Sequence, residues 1–324
     1  MSNFWSDKQV VVTGAAGMMG SRLCQFLLEE GADVTGMDNF SRGTTRVHGV
    51  HYLEFPYNDV MDGTGCLHAF RGKDAVFNLA AHVGGVYFNL KNQAEQFWGN
   101  MQLQSVPAIA AAQIGVPIFL QVSTVCVYAQ KYNCPAREPY GHIDNPERAN
   151  EGYAWAKRMG EHAALWAYKD IEDAKVVIVR PTNCYGINDY FDERAHVIPA
   201  LIKKFHNNDE VVVVYGGPQH REFIYADDVA RGMMVVAENG IHGEAYNLGT
   251  DGKTVITIGE LASMICRILD SKSRIVYDTE IEIGDVRRRT NSTKAQRLGW
   301  LYQVGLAYGL SEVIEWYINR KERK

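Results

Sequence analysis

The chain is short of the features that mark secreted, membrane-spanning and nucleic-acid-binding proteins. Its 324 residues hold six cysteines, at positions 24, 66, 126, 134, 184 and 266, never closer than eight residues apart. That spacing offers neither a CxxC zinc pair nor the density of a disulfide scaffold, and no metal site is expected. The opening stretch, MSNFWSDKQVVV, lacks the basic-then-apolar order of an export signal. The most apolar later stretch, Val106 to Leu120, is broken by Pro107, Gln113, Gly115 and Pro117. No segment is therefore expected to span a bilayer. Acidic residues number 38 against 33 basic ones, a net charge of −5, so there is no positive field to draw nucleic acid or anionic lipid. A small-molecule partner met in the cytoplasm is the expectation. With 46% hydrophobic and 22% charged residues, the composition is that of a globular protein able to bury a full core.

Apolar runs alternate with helix-period stretches through the first 180 residues. Strands are expected at Gln9 to Thr13, Asp33 to Asp38, Val50 to Phe55, Asp74 to Ala80, Pro117 to Thr124 and Lys175 to Arg180. Helices are expected at Met18 to Glu30, Ala94 to Ile114 and Arg148 to Lys169. This alternation predicts an α/β fold, a doubly wound parallel Rossmann sheet covered on both faces. Beyond Arg180 the rhythm loosens, with short strand candidates at Val211 to Tyr215, Ala245 to Leu248 and Arg274 to Tyr277. A cofactor domain over 1–180, with a segment near 223–249 returning to it, and a smaller mixed α/β substrate domain over 181–324 are expected, with a soft boundary.

Between the first strand and first helix lies Gly14-Ala15-Ala16-Gly17-Met18-Met19-Gly20, a GxxGxxG loop. Glycines there permit a tight turn and close backbone approach, so that amides at the helix N-terminus can hold a pyrophosphate. The second strand ends at Asp38, followed by Asn39. A carboxylate at that place accepts hydrogen bonds from ribose hydroxyls and repels a 2′-phosphate, which predicts NAD rather than NADP. Arg42 is the nearby cation that could offset this preference. Asp59-Val60 and Leu79-Ala80-Ala81 also fall at carboxyl ends of strands, where ligands of such sheets collect, and Asp59 could meet the adenine amino group.

Tyr153 and Lys157 stand four apart on an expected helix and share one face. The spacing alone is weak, because Tyr87/Lys91 and Tyr317/Lys321 also fit it. Only Tyr153/Lys157 follows a strand ending in Ser123-Thr124-Val125-Cys126, which can bring a hydroxyl, a phenol and an ammonium together beside a nicotinamide. A neighbouring cation favours phenolate, so Tyr153 could take the proton of a carbinol as hydride leaves.

Together the glycine loop, Asp38, Asn78-Leu79-Ala80-Ala81, Thr124 and Tyr153-x-x-x-Lys157 resemble the extended short-chain dehydrogenase/reductases, the NAD-dependent epimerase/dehydratase family. Within it, Ala80 to Gly85, Thr124 to Tyr128, Pro181 to Gly186, His196 to Leu201 and Arg221-Glu222-Phe223 resemble the branch that acts on GDP-sugars as epimerases and reductases. The likeness runs from residue 9 to about 318. It implies a nucleotide-sugar substrate, a GDP-sugar before others, and a homodimer. It also implies catalytic roles for Thr124, Tyr153 and Lys157, with Cys126 and His196 shuttling protons at sugar carbons. Pro181 joins the cofactor residues, and Val83, Asn183, Lys204, Arg221 and Arg287 become candidates for holding the substrate. Residue alternation supports Cys126 independently, since positions 124 and 126 of one strand face the same side. Taken alone, His196 reads equally well as a capping histidine at the start of a helix.

The resemblance bends at the cofactor, because the GDP-sugar reductases use NADPH whereas Asp38 argues for NAD. A tightly held NAD suits a redox-neutral epimerase that oxidises C4 of the sugar and reduces it again. The transient ketone acidifies the hydrogens on C3 and C5, which is the reason to place an acid/base pair beside it. Val125 and Cys126 follow Thr124, where the sugar 4,6-dehydratases carry Asp and Glu, so dehydration is disfavoured. Simple C4 epimerisation, net reduction, and non-catalytic binding of NAD remain as alternatives.

Overall fold

A computed structural model describes residues 4–54, 56, 58–132, 135–278 and 288–322. The first part of the chain runs β1 (Gln9–Thr13), α1 (Met18–Glu29), β2 (Asp33–Met37), β3 (His51–Tyr52), α2 (Gly63–Phe70), β4 (Ala75–Asn78), α3 (Val86–Lys91), α4 (Gln93–Ile114), β5 (Ile118–Val122), α5 (Glu151–Ala167) and β6 (Lys175–Pro181). It continues with β7 (Asn183–Tyr185), α6 (Val197–His206), β8 (Val211–Tyr215), β9 (His220–Tyr225), α7 (Ala226–Asn239) and β10 (Ala245–Leu248). The last part is β11 (Val255–Thr257), α8 (Ile258–Ile268), β12 (Arg274–Asp278), α9 (Thr293–Gln296) and α10 (Leu306–Glu322).

Seven strands form one parallel sheet in the order β10-β6-β5-β4-β1-β2-β3. The strand order reverses direction between β1 and β4, the place where ligands of doubly wound sheets bind. Alternate residues of β1 feed opposite faces, as the pleat requires. Val10 and Val12 pack with Leu23 and Leu27 of α1 and Val229 and Met233 of α7. Val11 packs with Phe70 of α2, Leu103 of α4 and Ala164 of α5. Both faces are thus covered by helices, as the sequence rhythm predicts.

Later elements add a three-stranded sheet, β11-β9-β7, and a parallel pair, β12-β8. Their core gathers Ile198 and Phe205 of α6, Leu261 and Ile265 of α8, and Leu310 and Ile314 of α10. The strands β7, β9 and β11 were not anticipated, because three to six residues each give no readable alternation.

Two expectations need correction. Helix α5 begins at Glu151 rather than Arg148, since Arg148–Asn150 forms a single 3₁₀ turn ahead of it. The strand expected through Thr124 ends at Val122, and Val125–Val127 is a 3₁₀ turn opened by Thr124. Cys126 is therefore not on a pleat with Thr124.

Candidate active site

The carboxyl ends of β1, β4, β5 and β6 open into a cleft of about 780 Å³, closed on its other side by α6 and β9 residues. All the candidate site residues line this one cleft except Arg287, which lies outside the described residues.

The glycine loop is shaped by close approach. Gly14 has φ +66°, and a Cβ there would lie 3.0 Å from the Ala80 nitrogen. A Cβ on Gly20 would lie 2.1 Å from the Gly14 carbonyl oxygen, so the loop cannot close on its helix with any side chain present. Gly17 is the N-cap of α1 and supplies no side chain to the helix's first amides. These features fit the pyrophosphate of a dinucleotide. At the end of β2, the Asp38 carboxylate accepts hydrogen bonds from the amides of Ala16 at 2.9 Å and Phe40 at 2.8 Å. Burial raises its pKa, while those amides and Arg46 pull it down. Arg42 is engaged elsewhere: it forks onto Asp192 at 2.9 and 3.0 Å and donates to the Val83 carbonyl at 2.6 Å.

A chain of buried polar groups crosses the sheet under the cleft. Thr13 of β1 donates to Asn78 of β4 at 2.7 Å, and Asn78 donates to Gln121 of β5 at 3.2 Å. Gln121 donates to Gln104 of α4, whose oxygen also accepts from the Lys157 ammonium at 2.9 Å. The Val122 carbonyl accepts a second bond from Lys157 at 2.7 Å. Lys157 is thereby held at one place on α5, 5.7 Å from the centre of the Tyr153 ring. Burial lowers the Lys157 pKa to about 7. The Tyr153 phenol is pushed up, first by burial and then by Cys126, while its hydrogen bond with Thr124 pulls it down.

The other two Tyr-x-x-x-Lys pairs are differently placed. Tyr87 also lines the cleft but is 54% exposed and stacks against Tyr215 with centroids 6.3 Å apart. Tyr317 is buried in the second core against Phe191.

Cys126 reaches the cleft through the 3₁₀ turn, its amide donating to the Thr124 hydroxyl at 3.2 Å. Its sulfur lies 3.5 Å from a guanidinium nitrogen of Arg288. His196 is the N-cap of α6 without a side-chain capping bond. Its Nδ1 is buried and has no hydrogen-bond partner among the described residues. Burial, then Arg42, lowers its pKa to about 4, so the ring is neutral at neutral pH. Of the substrate candidates, Asn183 donates to the Glu222 carbonyl at 2.7 Å, Lys204 to the Val213 carbonyl at 3.1 Å and Arg221 to the His220 carbonyl at 2.9 Å.

Sequence reasoning missed Glu147 and Arg288, which line the same cleft and form a buried ion pair. Arg288 belongs to a run of three arginines that reads as a solvated face. Its register is fixed by remote partners: its amide donates to the His220 carbonyl at 3.3 Å, and Thr290 bridges to Ala136. That pairing turns Arg288 inward and leaves Arg289 exposed.

Among the described residues no helix is long and apolar enough to cross a membrane, and no cluster of His, Cys, Asp and Glu could hold a metal ion.

Fold and cleft define a dinucleotide-binding α/β enzyme. Residues 10–249 match the NAD dependent epimerase/dehydratase family, and the chain belongs to it. It is 30% identical to GDP-L-fucose synthase 1 of Arabidopsis thaliana over 325 residues, 97% of this chain and 95% of that protein. It is 32% identical to GDP-L-fucose synthase of Escherichia coli over 267 residues, 77% of this chain and 82% of that protein. Among solved structures it resembles UDP-glucose 4-epimerase of Thermotoga maritima bound to UDP-glucose, with TM-score 0.85 and 25% identity, covering 97% of this chain and 99% of that one.

Proposed function

We propose that the protein is an NAD-dependent nucleoside-diphosphate-sugar epimerase working through a transient 4-keto sugar, with Cys126 and His196 exchanging protons at C3 or C5. The observation that carries this reading is that a thiol and a neutral imidazole share one cleft with Thr124, Tyr153 and Lys157. The glycine loop and Asp38 would hold NAD, which would supply an acceptor for the C4 hydride. Tyr153 removes the C4 hydroxyl proton, steadied by its hydrogen bond with Thr124. When protonated, Lys157 places positive charge near the phenol and so favours phenolate. Once C4 is a ketone, the neighbouring C–H bonds are acidic, and a base on one face with an acid on the other inverts the carbon. His196 is suited to accept a proton because it is neutral at neutral pH.

A GDP-sugar is the favoured substrate, since the relatives from Arabidopsis thaliana and Escherichia coli are GDP-L-fucose synthases. Asp38 and the engagement of Arg42 by Asp192 support NAD over NADP, and with it a redox-neutral cycle rather than net reduction. The enzyme is expected to work in the cytoplasm as a homodimer. Its elements divide into a cofactor domain to about residue 180, rejoined near 223–249, and a substrate domain. A C4 epimerase without carbon-acid chemistry is the second reading, favoured by the likeness to the UDP-glucose 4-epimerase.

Mass spectrometry of products in D₂O over a panel of nucleotide sugars separates the two. Deuterium at C3 or C5, slowed or stopped by Cys126→Ser and by His196→Asn, supports the proposal. Inversion at C4 with no mass gain, unaffected by either substitution, overturns it in favour of the second reading.

A further inference from the structure

The acid/base cysteine of this site has a fixed cation against it. Arg288 touches the Cys126 sulfur with Nη1 at 3.5 Å and donates from Nη2 to a Glu147 carboxylate oxygen. Both charged residues are buried, at 2% and 3% exposure. The same Glu147 oxygen accepts from the Asn150 amide at 2.8 Å, and Asn150 in turn accepts from Asn89 at 2.8 Å. Behind Arg288 the backbone is pinned by the His220 carbonyl, and its neighbour Thr290 donates twice to Glu222, at 2.6 and 2.7 Å. The guanidinium thus lies between the Cys126 sulfur and the Glu147 carboxylate, on a backbone tied to β9.

We infer that the Glu147–Arg288 pair positions the Cys126 sulfur and sets its readiness to ionise, making Arg288 a positioning residue for the acid/base step. This rests on the reading of Cys126 as an acid/base group. A thiol at this depth resists ionisation because the thiolate loses its water, and a cation in contact offsets that loss. The groups facing the sulfur act in opposite senses. Burial raises its pKa most, Arg288 lowers it, Glu147 raises it, and the Thr124 hydroxyl lowers it by hydrogen bonding. From α5, the Tyr153 hydroxyl faces it, its own pKa raised first by burial and then by Cys126. Arg221 bears on Glu147 and helps to keep that carboxylate ionised. The guanidinium touches the sulfur while the carboxylate touches the guanidinium, so the two partners tune one thiol in opposite directions.

The pH dependence of Cys126 alkylation by iodoacetamide, followed by mass spectrometry of its peptide in the full-length protein, tests this. Arg288→Met is expected to move the alkylation midpoint up by roughly one pH unit or more, cutting reactivity at a fixed pH about tenfold. Arg288→Lys should restore most of that shift, and Glu147→Gln should move the midpoint down. Coinciding midpoints in Arg288→Met and the parent, or shifts of the same sign in Arg288→Met and Glu147→Gln, overturn the inference. If Arg288→Met does not fold, the sign of the Glu147→Gln shift decides: downward supports the inference, while no change or an upward shift overturns it. Deuterium incorporation reports on the proposed function separately, so either idea can fail while the other stands.

Discussion

Cys126 and Arg288 meet across 162 positions of sequence, sulfur to guanidinium at 3.5 Å. The contact joins the turn after β5 to a segment held against β9, so the thiol is set by elements from both parts of the molecule. The arginine's burial is balanced by Glu147, whose carboxyl is raised by burial but drawn down to about 2 chiefly by Arg288 and Arg221. A buried charge without that balance would cost several kcal/mol. The pair thus sets a compensated positive charge beside the Cys126 thiol.

Tyr153→Phe tests the hydride-transfer group. The variant is expected to lose turnover by about a thousandfold or more while binding NAD and nucleotide sugar nearly as before, because the phenol moves a proton and contributes little affinity. Transient absorbance of reduced cofactor at 340 nm should vanish with it. Tyr317→Phe, in the second core, is the control and should behave as the parent. Turnover at the parent rate in Tyr153→Phe would remove the phenol from the chemistry.

Cofactor choice is expected to follow from Asp38. NADP is expected to bind at least tenfold more weakly than NAD by calorimetry, because its 2′-phosphate would face a carboxylate. Asp38→Ser should narrow the gap. Arg42→Ala should leave it almost unchanged, since Arg42 is already forked onto Asp192. Equal affinities in the parent would defeat this account of Asp38.

His196 gives a dependence on pH with a definite sign. Its pKa falls from 6.5 to about 4 on folding, mainly by burial. Between those values the unfolded chain takes up a proton that the folded chain refuses, so stability is full above pH 6.5 and falls as pH drops toward 4. Relative to His196→Gln, the parent should lose on the order of 1–3 kcal/mol across that window in urea titrations. A constant difference between the two proteins from pH 7 to 4.5 would show that the imidazole is not held neutral.

How much of this was legible depends on how local each feature is. The glycine loop and Asp38 sit on consecutive elements, and the close approaches of Gly14 and Gly20 involve neighbours that the strand-loop-helix pattern already implies. Tyr153 and Lys157 were readable because four residues along a helix return to one face. For Cys126 the alternation argument named the right cleft by the wrong geometry, since the strand gives way to a 3₁₀ turn before it. The polar chain from Thr13 through Asn78, Gln121 and Gln104 to Lys157 was invisible, because each member reads as an isolated polar residue until the sheet register aligns them. Arg288 was hidden for the same reason. That Arg288 rather than Arg289 turns inward is decided by pairing of its segment with Ala136 and His220, more than sixty residues away.

A homodimer, if formed, is expected to use helices α4 and α5. Helices α4 and α5 pack along each other, yet Trp98 and Ile109 on α4 and Trp166 on α5 are left 59%, 46% and 70% exposed. Large apolar side chains left in water on a helix pair are costly, and a twofold contact that pairs this surface with the same surface of a second copy would cover them. None of the three lines the cleft, so disrupting the contact should leave cofactor binding intact. Light scattering at micromolar concentration is expected to give twice the chain mass for the parent. The double variant Trp98→Glu, Trp166→Glu should give the chain mass itself, with NAD affinity within about twofold of the parent. A parent that is monomeric under these conditions, or a double variant that remains dimeric, would rule out this helix pair as the contact.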